Sequence, residues 1–260
     1  MLLAHDRWGS GRPVVLLHGM FGSAANWKTV ARELASNWDV LALDLRGHGR
    51  SAAAGFTSVP NMAADVAETL AALLVSAPVI VGHSLGGKVA MEFVLREHAQ
   101  AAGLVIVDIA ARAYPPGNQD VVEAMLELEP ANYSRRNEVV AALVAKLGNE
   151  TLAHFLATNV ERRDGGLVWR LDLDGLRTAL PALSGHESFG RYDGPALVLR
   201  SENSDYVRDA DVETLAELFP QLEVATVAGA GHWVHWEKRQ VFLELLAGFL
   251  NSLDSGRPDV

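Results

Sequence analysis

Short runs of apolar residues recur along the chain and alternate with stretches of helical periodicity. The apolar runs lie at residues 13–19, 39–45, 78–84, 103–110, 195–201 and 223–231. Runs that are apolar at nearly every position are typical of parallel strands whose two faces are both covered. In residues 61–75 the apolar side chains instead repeat with helical spacing, and Asn61 is a candidate N-cap. The alternation predicts an α/β fold with a mostly parallel, doubly wound sheet.

This alternation is interrupted between residues 111 and 190. The interval contains helical stretches such as VVEAMLELE, NEVVAALVAKLG and ETLAHFLATNVE, and it contains no apolar run as strong as those of the core. We therefore predict a helical insertion at residues 111–190, placed between two core strands. Residues 1–110 and 191–260 then form the two parts of the core.

Composition removes several classes of function. The chain has 22 Lys and Arg against 32 Asp and Glu, a formal charge of -10, so we expect no nucleic acid partner. It has no cysteine, which excludes disulfides, thiolate metal sites and cysteine nucleophiles. The first residues, MLLAHDRWGSGRP, hold too short an apolar run for a signal peptide or a membrane span, and we expect a cytoplasmic location. No spacing of histidines and carboxylates suggests a metal, and no cofactor is expected.

One serine stands where the apolar run at residues 78–84 gives way to a helical pattern. In the stretch VGHSLGGK, Ser84 has Gly82 and Gly86 two residues away on either side. A strand–turn–helix context of this kind is that of a nucleophile elbow, in which the glycines relieve crowding around a strained turn. The start of the following helix offers free N–H groups and a positive dipole end to a developing oxyanion. We predict that Ser84 is a nucleophile.

A serine hydroxyl needs a general base. Among the nine histidines, His232 is the best candidate, because it follows the last apolar run, lies in a glycine-rich loop and precedes a helix. His235, three residues further on, remains a second candidate. We expect His18 and His83 to hold loops by hydrogen bonds beside the pocket rather than to take part in the chemistry.

Four motifs in a fixed order resemble the α/β-hydrolase fold family. They are LLHGMFGS at residues 16–23, DLRGHGRS at 44–51, VGHSLGG at 81–87 and GAGHWVHWEK at 229–238, and within the family they look most like the small bacterial YbfF-type esterases. The resemblance implies a helical cap over the sheet and a serine-esterase mechanism. The expected substrate is a small-molecule acyl ester of small to medium chain length, cleaved through an acyl-enzyme intermediate.

The resemblance also implies further site residues. The backbone N–H of Leu85 and that of Met20 are expected to form the oxyanion hole, with Phe21 as the alternative to Met20. The residues expected to line the substrate pocket are Phe21, His83, Tyr206 and Trp233.

Two aspartates are candidates for the acid that orients His232. Many family members place this acid in the segment that aligns with ENSDYV, where this chain has Ser204 and, one residue later, Asp205. A shift by one residue in an extended segment points the carboxylate the other way. The resemblance to the YbfF-type esterases instead implies Asp108, which follows the run GLVIV, with Ser204 assisting. We predict Asp108 and keep Asp205 as the alternative.

Other functions use the same motifs. Carbon–carbon bond hydrolases, thioesterases and perhydrolases share this triad, and the fold also occurs in non-catalytic receptors for small ligands. Covalent labelling of Ser84 by a fluorophosphonate separates an enzyme from a receptor, because the reaction requires an activated hydroxyl. The sequence predicts neither the physiological ester nor the oligomeric state.

Overall fold

The computed structural model describes residues 1–96, 100–115, 118–185 and 190–255. Seven strands form one sheet in the order β1-β3-β2-β4-β5-β8-β9, and two more, β6 and β7, form a separate hairpin. The strands are β1 His5–Trp8, β2 Arg12–Leu17, β3 Trp38–Leu43, β4 Val79–His83, β5 Gly103–Val107, β6 Val160–Arg163, β7 Gly166–Trp169, β8 Pro195–Ser201 and β9 Gln221–Val227.

Each of the six predicted apolar runs overlaps a strand of the main sheet, and these six strands are parallel to one another. The mostly parallel α/β architecture is thereby confirmed. The pattern missed β1, which pairs antiparallel with β3 at the edge of the sheet. Its sequence, HDRW, is polar and largely half-buried because one of its edges has no neighbouring strand.

Helices cover both faces of the sheet. They are α1 Lys28–Leu34, α2 Val59–Ala72, α3 Leu85–Leu95, α4 Gln119–Leu126, α5 Arg136–Leu147, α6 Glu150–Ala157, α7 Leu173–Ser184, α8 Asp209–Leu218, α9 Val234–Glu237 and α10 Arg239–Ser255. Short 3-10 helices lie at Ala24–Trp27, Gly49–Ala54 and Pro130–Asn132. The N-cap of α2 is Ser58, so the prediction that Asn61 caps this helix is wrong. None of the described helices is both long and apolar enough to cross a lipid bilayer.

Alternate residues of each central strand belong to two different cores. In β2, for example, Val14 and Leu16 face the side covered by α1 and α10, whereas Val15 and Leu17 face the side covered by α2 and α3. Both sets are completely buried. This double burial explains why the strands read as continuous apolar runs.

The segment between β5 and β8 carries the helices α4 to α7 and lies outside the main sheet. It also contains the hairpin β6–β7, where only helices were predicted. The turn of the hairpin is Asp164–Gly165, and both residues have positive φ, at 49° and 86°. An Asp-Gly pair is a typical hairpin turn, so a local signal for these strands was present in the sequence.

Candidate active site

Ser84 occupies a strained turn between β4 and α3. Its φ of 53° and ψ of -117° are rarely adopted by a residue with a side chain. The surrounding backbone holds this conformation: the Ser84 N–H donates to the carbonyl oxygen of Val107 at 3.1 Å, and the Gly87 N–H donates to the Ser84 carbonyl oxygen at 2.9 Å. The predicted strand–turn–helix elbow is therefore present around Ser84.

The glycines beside Ser84 are explained by close approach of backbone segments. A Cβ atom on Gly82 would lie 2.1 Å from the carbonyl oxygen of Gly86. A Cβ atom on Gly86 would lie 2.3 Å from the carbonyl oxygen of Leu17. Any side chain at these positions would push α3 away from the strand ends and displace the serine.

Asp108 and His232 form a hydrogen-bonded pair at the carboxyl ends of the strands. Asp108 follows β5 directly, is fully buried, and accepts a hydrogen bond from Nδ1 of His232 at 2.8 Å. Its other oxygen accepts from the Ser201 N–H at 2.9 Å. Since Nδ1 is the donor, Nε2 of His232 is left free to accept a proton. The predicted pairing of these two side chains is therefore present.

Ser204 supports the same carboxylate. Its hydroxyl donates to Oδ2 of Asp108 at 2.6 Å, beside the bond from His232. The neighbouring Asp205 is exposed, and its carboxylate has no contact with His232 among the described residues. The backbone carbonyl oxygen of Asp205 accepts a hydrogen bond from Arg112 at 3.2 Å.

The loop at residues 19–22, which we call the oxyanion loop, lies beside the elbow. Nδ1 of His18 donates to the Gly19 carbonyl oxygen at 2.8 Å, and Nε2 of His18 accepts from the Leu45 N–H at 3.0 Å. His18 thus holds the loop in place as a neutral ring, consistent with a pKa lowered mainly by burial. The backbone N–H groups of Met20 and Phe21 have no acceptor among the described residues. They are available to an oxyanion, as is the N–H of Leu85 at the start of α3.

Aromatic rings pack against His232. The ring of Tyr206 stacks on the imidazole with a centroid distance of 3.9 Å and an interplanar angle of 18°. Nε2 of His83 donates to the His232 carbonyl oxygen at 2.8 Å, as expected of a residue that holds a loop. Burial lowers the pKa of His83 well below its ordinary value and that of His235 to about 3. His83 and His235 are therefore neutral rings at neutral pH.

A cavity of about 470 Å³ opens at this edge of the sheet. Predicted site residues that line it are Met20, Ser84, Leu85, Ser204, Asp205, Tyr206 and His232. Phe21, His83 and Trp233 do not line it, contrary to expectation. Phe21 and His83 are buried in the protein, and Trp233 lines a neighbouring cavity of about 250 Å³ together with Phe155 and Trp236.

Several lining residues were missed by the sequence analysis. From the segment between β5 and β8 come Arg112, Tyr114, Pro115, Asn118, Leu183 and Ser184. Lys88, one helical turn after Ser84, is buried and donates to the carbonyl oxygens of Leu183, Ser184 and Gly185 at 3.3, 2.6 and 3.1 Å. Every residue of α3 is buried, and the partners of Lys88 are 95 to 97 residues away in the sequence, so no local pattern indicated this contact. Among the described residues, no cluster of His, Asp and Glu could hold a metal ion.

Comparisons with known proteins agree with this geometry. A model of the alpha/beta hydrolase fold matches residues 12–239. The chain is 35% identical over 257 residues to the sn-1-specific diacylglycerol lipase ABHD11 of Xenopus tropicalis, covering 95% of this chain and 81% of that protein. It is 32% identical over 240 residues to the esterase YbfF of Escherichia coli strain K12, covering 92% and 93%. A solved marine microorganism esterase matches with a TM-score of 0.92 and 31% identity, over 95% of this chain and 99% of that one. The chain belongs to the α/β-hydrolase fold family.

Proposed function

We propose that this protein is a serine esterase that hydrolyses carboxylic esters of small to medium acyl chain length through an acyl-enzyme intermediate. The observation that carries the proposal is the meeting of three features at one cavity: Ser84 on its strained elbow, the His232–Asp108 pair, and free backbone N–H groups. Relatives named esterase YbfF and diacylglycerol lipase support this reaction class.

In the first half of the proposed reaction, Oγ of Ser84 attacks the ester carbonyl carbon while Nε2 of His232 takes the hydroxyl proton. Asp108 holds the imidazole in the required tautomer and stabilises the imidazolium that forms. The N–H of Leu85 and that of Met20 or Phe21 donate to the carbonyl oxygen as it becomes an oxyanion. His232 then protonates the leaving alcohol, and the acyl group stays on Ser84.

In the second half, water replaces the alcohol. His232 removes a proton from the water molecule, whose oxygen attacks the acyl carbon. The tetrahedral intermediate then collapses by breaking the bond between the acyl carbon and Oγ, and His232 returns the proton to Oγ, which releases the carboxylic acid and restores the Ser84 hydroxyl. The same oxyanion donors serve both steps. No metal or organic cofactor is needed for this sequence of steps.

Ester hydrolysis measured between about pH 5 and 9 should slow on the acid side, because His232 must be neutral to accept the serine proton. His83 and His235 should add no further ionisation, since burial lowers the pKa of His83 well below its ordinary value and that of His235 to about 3. Initial rates measured across this range test the expectation. A flat profile, or a second rising step that is lost in His235→Phe, would contradict it.

We further propose that residues 111–190 act as a cap that shapes the acyl site. Tyr114, Asn118 and Leu183 of this segment line the same cavity as Ser84. The three hydrogen bonds from Lys88 to the end of α7 hold the segment against α3. Apolar side chains from the cap would then select among acyl chains by contact, because each added methylene group contributes binding only where it is buried.

The cap proposal predicts that Leu183→Ala shifts the preferred acyl chain length. Leu180→Ala is a matched control, since Leu180 lies on the same helix and is equally buried but does not line the cavity. Each variant should lose about 2–5 kcal/mol of stability, as is usual for a buried leucine. Rates on p-nitrophenyl esters from acetate to palmitate should change in profile only for Leu183→Ala. The same profile in both variants would remove the support for an acyl-selecting cap.

The experiment that tests the proposed function is the same ester series applied to the wild-type protein. We expect hydrolysis that is fastest for short or medium chains and that depends on Ser84. The absence of turnover on every ester in the series would contradict an esterase function.

A further inference from the structure

Asn159 reaches from the cap into the oxyanion loop. It lies between α6 and β6, is only 2% exposed, and its side-chain Nδ2 donates to the carbonyl oxygen of Phe21 at 2.8 Å. The same amide also lies 3.3 Å from the carbonyl oxygen of Leu156. The two hydrogen bonds use both N–H donors of the amide group. A buried side chain of the cap therefore holds the backbone of the loop that offers N–H groups to the oxyanion.

The contact is made where the oxyanion loop is strained. Phe21 has a φ of 64°, a left-handed conformation that a residue with a large side chain adopts only when its surroundings enforce it. The φ and ψ angles of Phe21 together set the rotation between the peptide plane that carries its N–H and the plane that carries its carbonyl group. Holding the carbonyl oxygen in place therefore restricts the direction of the Phe21 N–H.

The loop is tied down at two points. At its start, the Gly19 carbonyl oxygen accepts from Nδ1 of His18 at 2.8 Å and from the Gly22 N–H at 3.0 Å. At its end, the hydrogen bond from Asn159 holds the Phe21 carbonyl oxygen. Between these points, the N–H groups of Met20 and Phe21 have no acceptor among the residues that the structure describes. These two N–H groups are therefore available to donate to an oxyanion.

Asn159 is itself held firmly within the cap. Its backbone N–H donates to the Leu156 carbonyl oxygen at 3.0 Å, and its carbonyl oxygen accepts from the Arg170 N–H at 2.8 Å. The first contact fixes it to the end of α6 and the second to the residue that follows β7. The side chain can therefore act as a rigid support rather than a flexible one.

We propose that Asn159 is a positioning residue for the oxyanion hole, so that the cap supports the chemical step in addition to shaping the pocket. The proposal rests on the serine-esterase function proposed above. Asn159 does not touch the substrate, and it acts through the Phe21 carbonyl group. Because the oxyanion forms only in the transition state, loss of this support should lower kcat and leave KM nearly unchanged.

The test compares variants at the two ends of α6. Asn159→Leu keeps the size of the side chain but removes both hydrogen bonds, and Asn159→Ala provides a second variant if the first does not fold. Asn149→Ala is the matched control: Asn149 is the N-cap of α6, accepting from the Leu152 N–H at 2.9 Å, so its loss weakens the same helix without a contact to the loop. The measurements are kcat, KM, Tm and the affinity for an alkylboronic acid, which forms a tetrahedral adduct on the nucleophilic serine.

We expect kcat to fall about 10- to 100-fold in the Asn159 variants, less than the loss for a deleted oxyanion donor, with KM within about twofold of wild type. Affinity for the boronic acid should fall in parallel, while Asn149→Ala keeps wild-type kcat at temperatures below its Tm. Two results would overturn this inference but not the proposed esterase function. One is a folded Asn159→Leu variant with full kcat; the other is a loss of kcat in all variants, including Asn149→Ala, that follows only the fall in Tm. A wild-type protein without Ser84-dependent turnover would overturn the proposed function as well.

Discussion

Replacement of Ser84 by alanine should reduce ester hydrolysis by about 10⁴- to 10⁶-fold, the usual cost of removing the nucleophile of a triad. The variant should still fold, because alanine also has a Cβ atom and, among the described residues, no hydrogen bond of the Ser84 hydroxyl holds the elbow. The change in stability should stay within about 1 kcal/mol. The measurements are kcat/KM on a p-nitrophenyl ester and Tm for both proteins.

A second serine in the same cavity provides the matched control. Ser184 lines the cavity from the end of α7, and its contact with Lys88 uses the backbone carbonyl oxygen. Ser184→Ala should therefore keep most of the turnover. A folded Ser84→Ala variant that retained a tenth of wild-type turnover would contradict the nucleophile assignment.

Replacement of Asp108 by asparagine should lower turnover by about 10⁴-fold, because the orienting acid holds the histidine tautomer and stabilises the imidazolium. An amide cannot accept all three hydrogen bonds that Asp108 now receives from His232, Ser204 and the Ser201 N–H. The expected loss is in kcat, with a much smaller change in substrate binding. Rates at saturating ester concentration measure it directly.

The alternative acid provides the comparison. Asp205→Asn should be nearly normal, since the exposed Asp205 carboxylate has no contact with His232 among the described residues. Ser204→Ala should be slowed modestly, because it removes one of the donors to the Asp108 carboxylate but leaves the bond to His232. If Asp205→Asn were the crippled variant and Asp108→Asn were active, the assignment of the acid would be wrong.

The core of the fold could be predicted because strands that are buried on both faces are apolar at nearly every position. In β4 all five residues are buried, and the run was visible without knowledge of its neighbours. The edge strand β1 was missed because its side chains are partly exposed and its sequence is therefore not a continuous apolar run. The hairpin between α6 and α7 was missed for a different reason: its strands are short and partly exposed, and only the Asp-Gly turn indicated them.

The positions of Ser84, Asp108 and His232 could be predicted because each follows a strand of one parallel sheet. The carboxyl ends of such strands lie at the same edge, so residues that follow them are brought together. The pocket wall was less predictable. Phe21 and Trp233 stand next to site residues in the sequence, but chain neighbours can face in different directions, and neither lines the cavity.

Contacts between distant segments explain what remained hidden. Asn159 contacts Phe21 across 138 residues, and Lys88 contacts Ser184 at the end of α7 across 96. No local pattern distinguishes Asn159 from any other polar residue after a helix. Such contacts follow from how the segment between β5 and β8 packs against the main sheet and its helices, which depends on the whole segment and not on the residues around one position.

Reaction with a fluorophosphonate probe, followed by intact-mass measurement and peptide mapping, tests the central claim most directly. The probe forms a covalent bond to a serine only when a neighbouring base and an oxyanion hole activate the hydroxyl. We predict one adduct per chain, located on Ser84, absent from Ser84→Ala and formed much more slowly in Asp108→Asn. A wild-type protein that stays unlabelled, or an adduct of equal yield that persists in Ser84→Ala, would contradict the account.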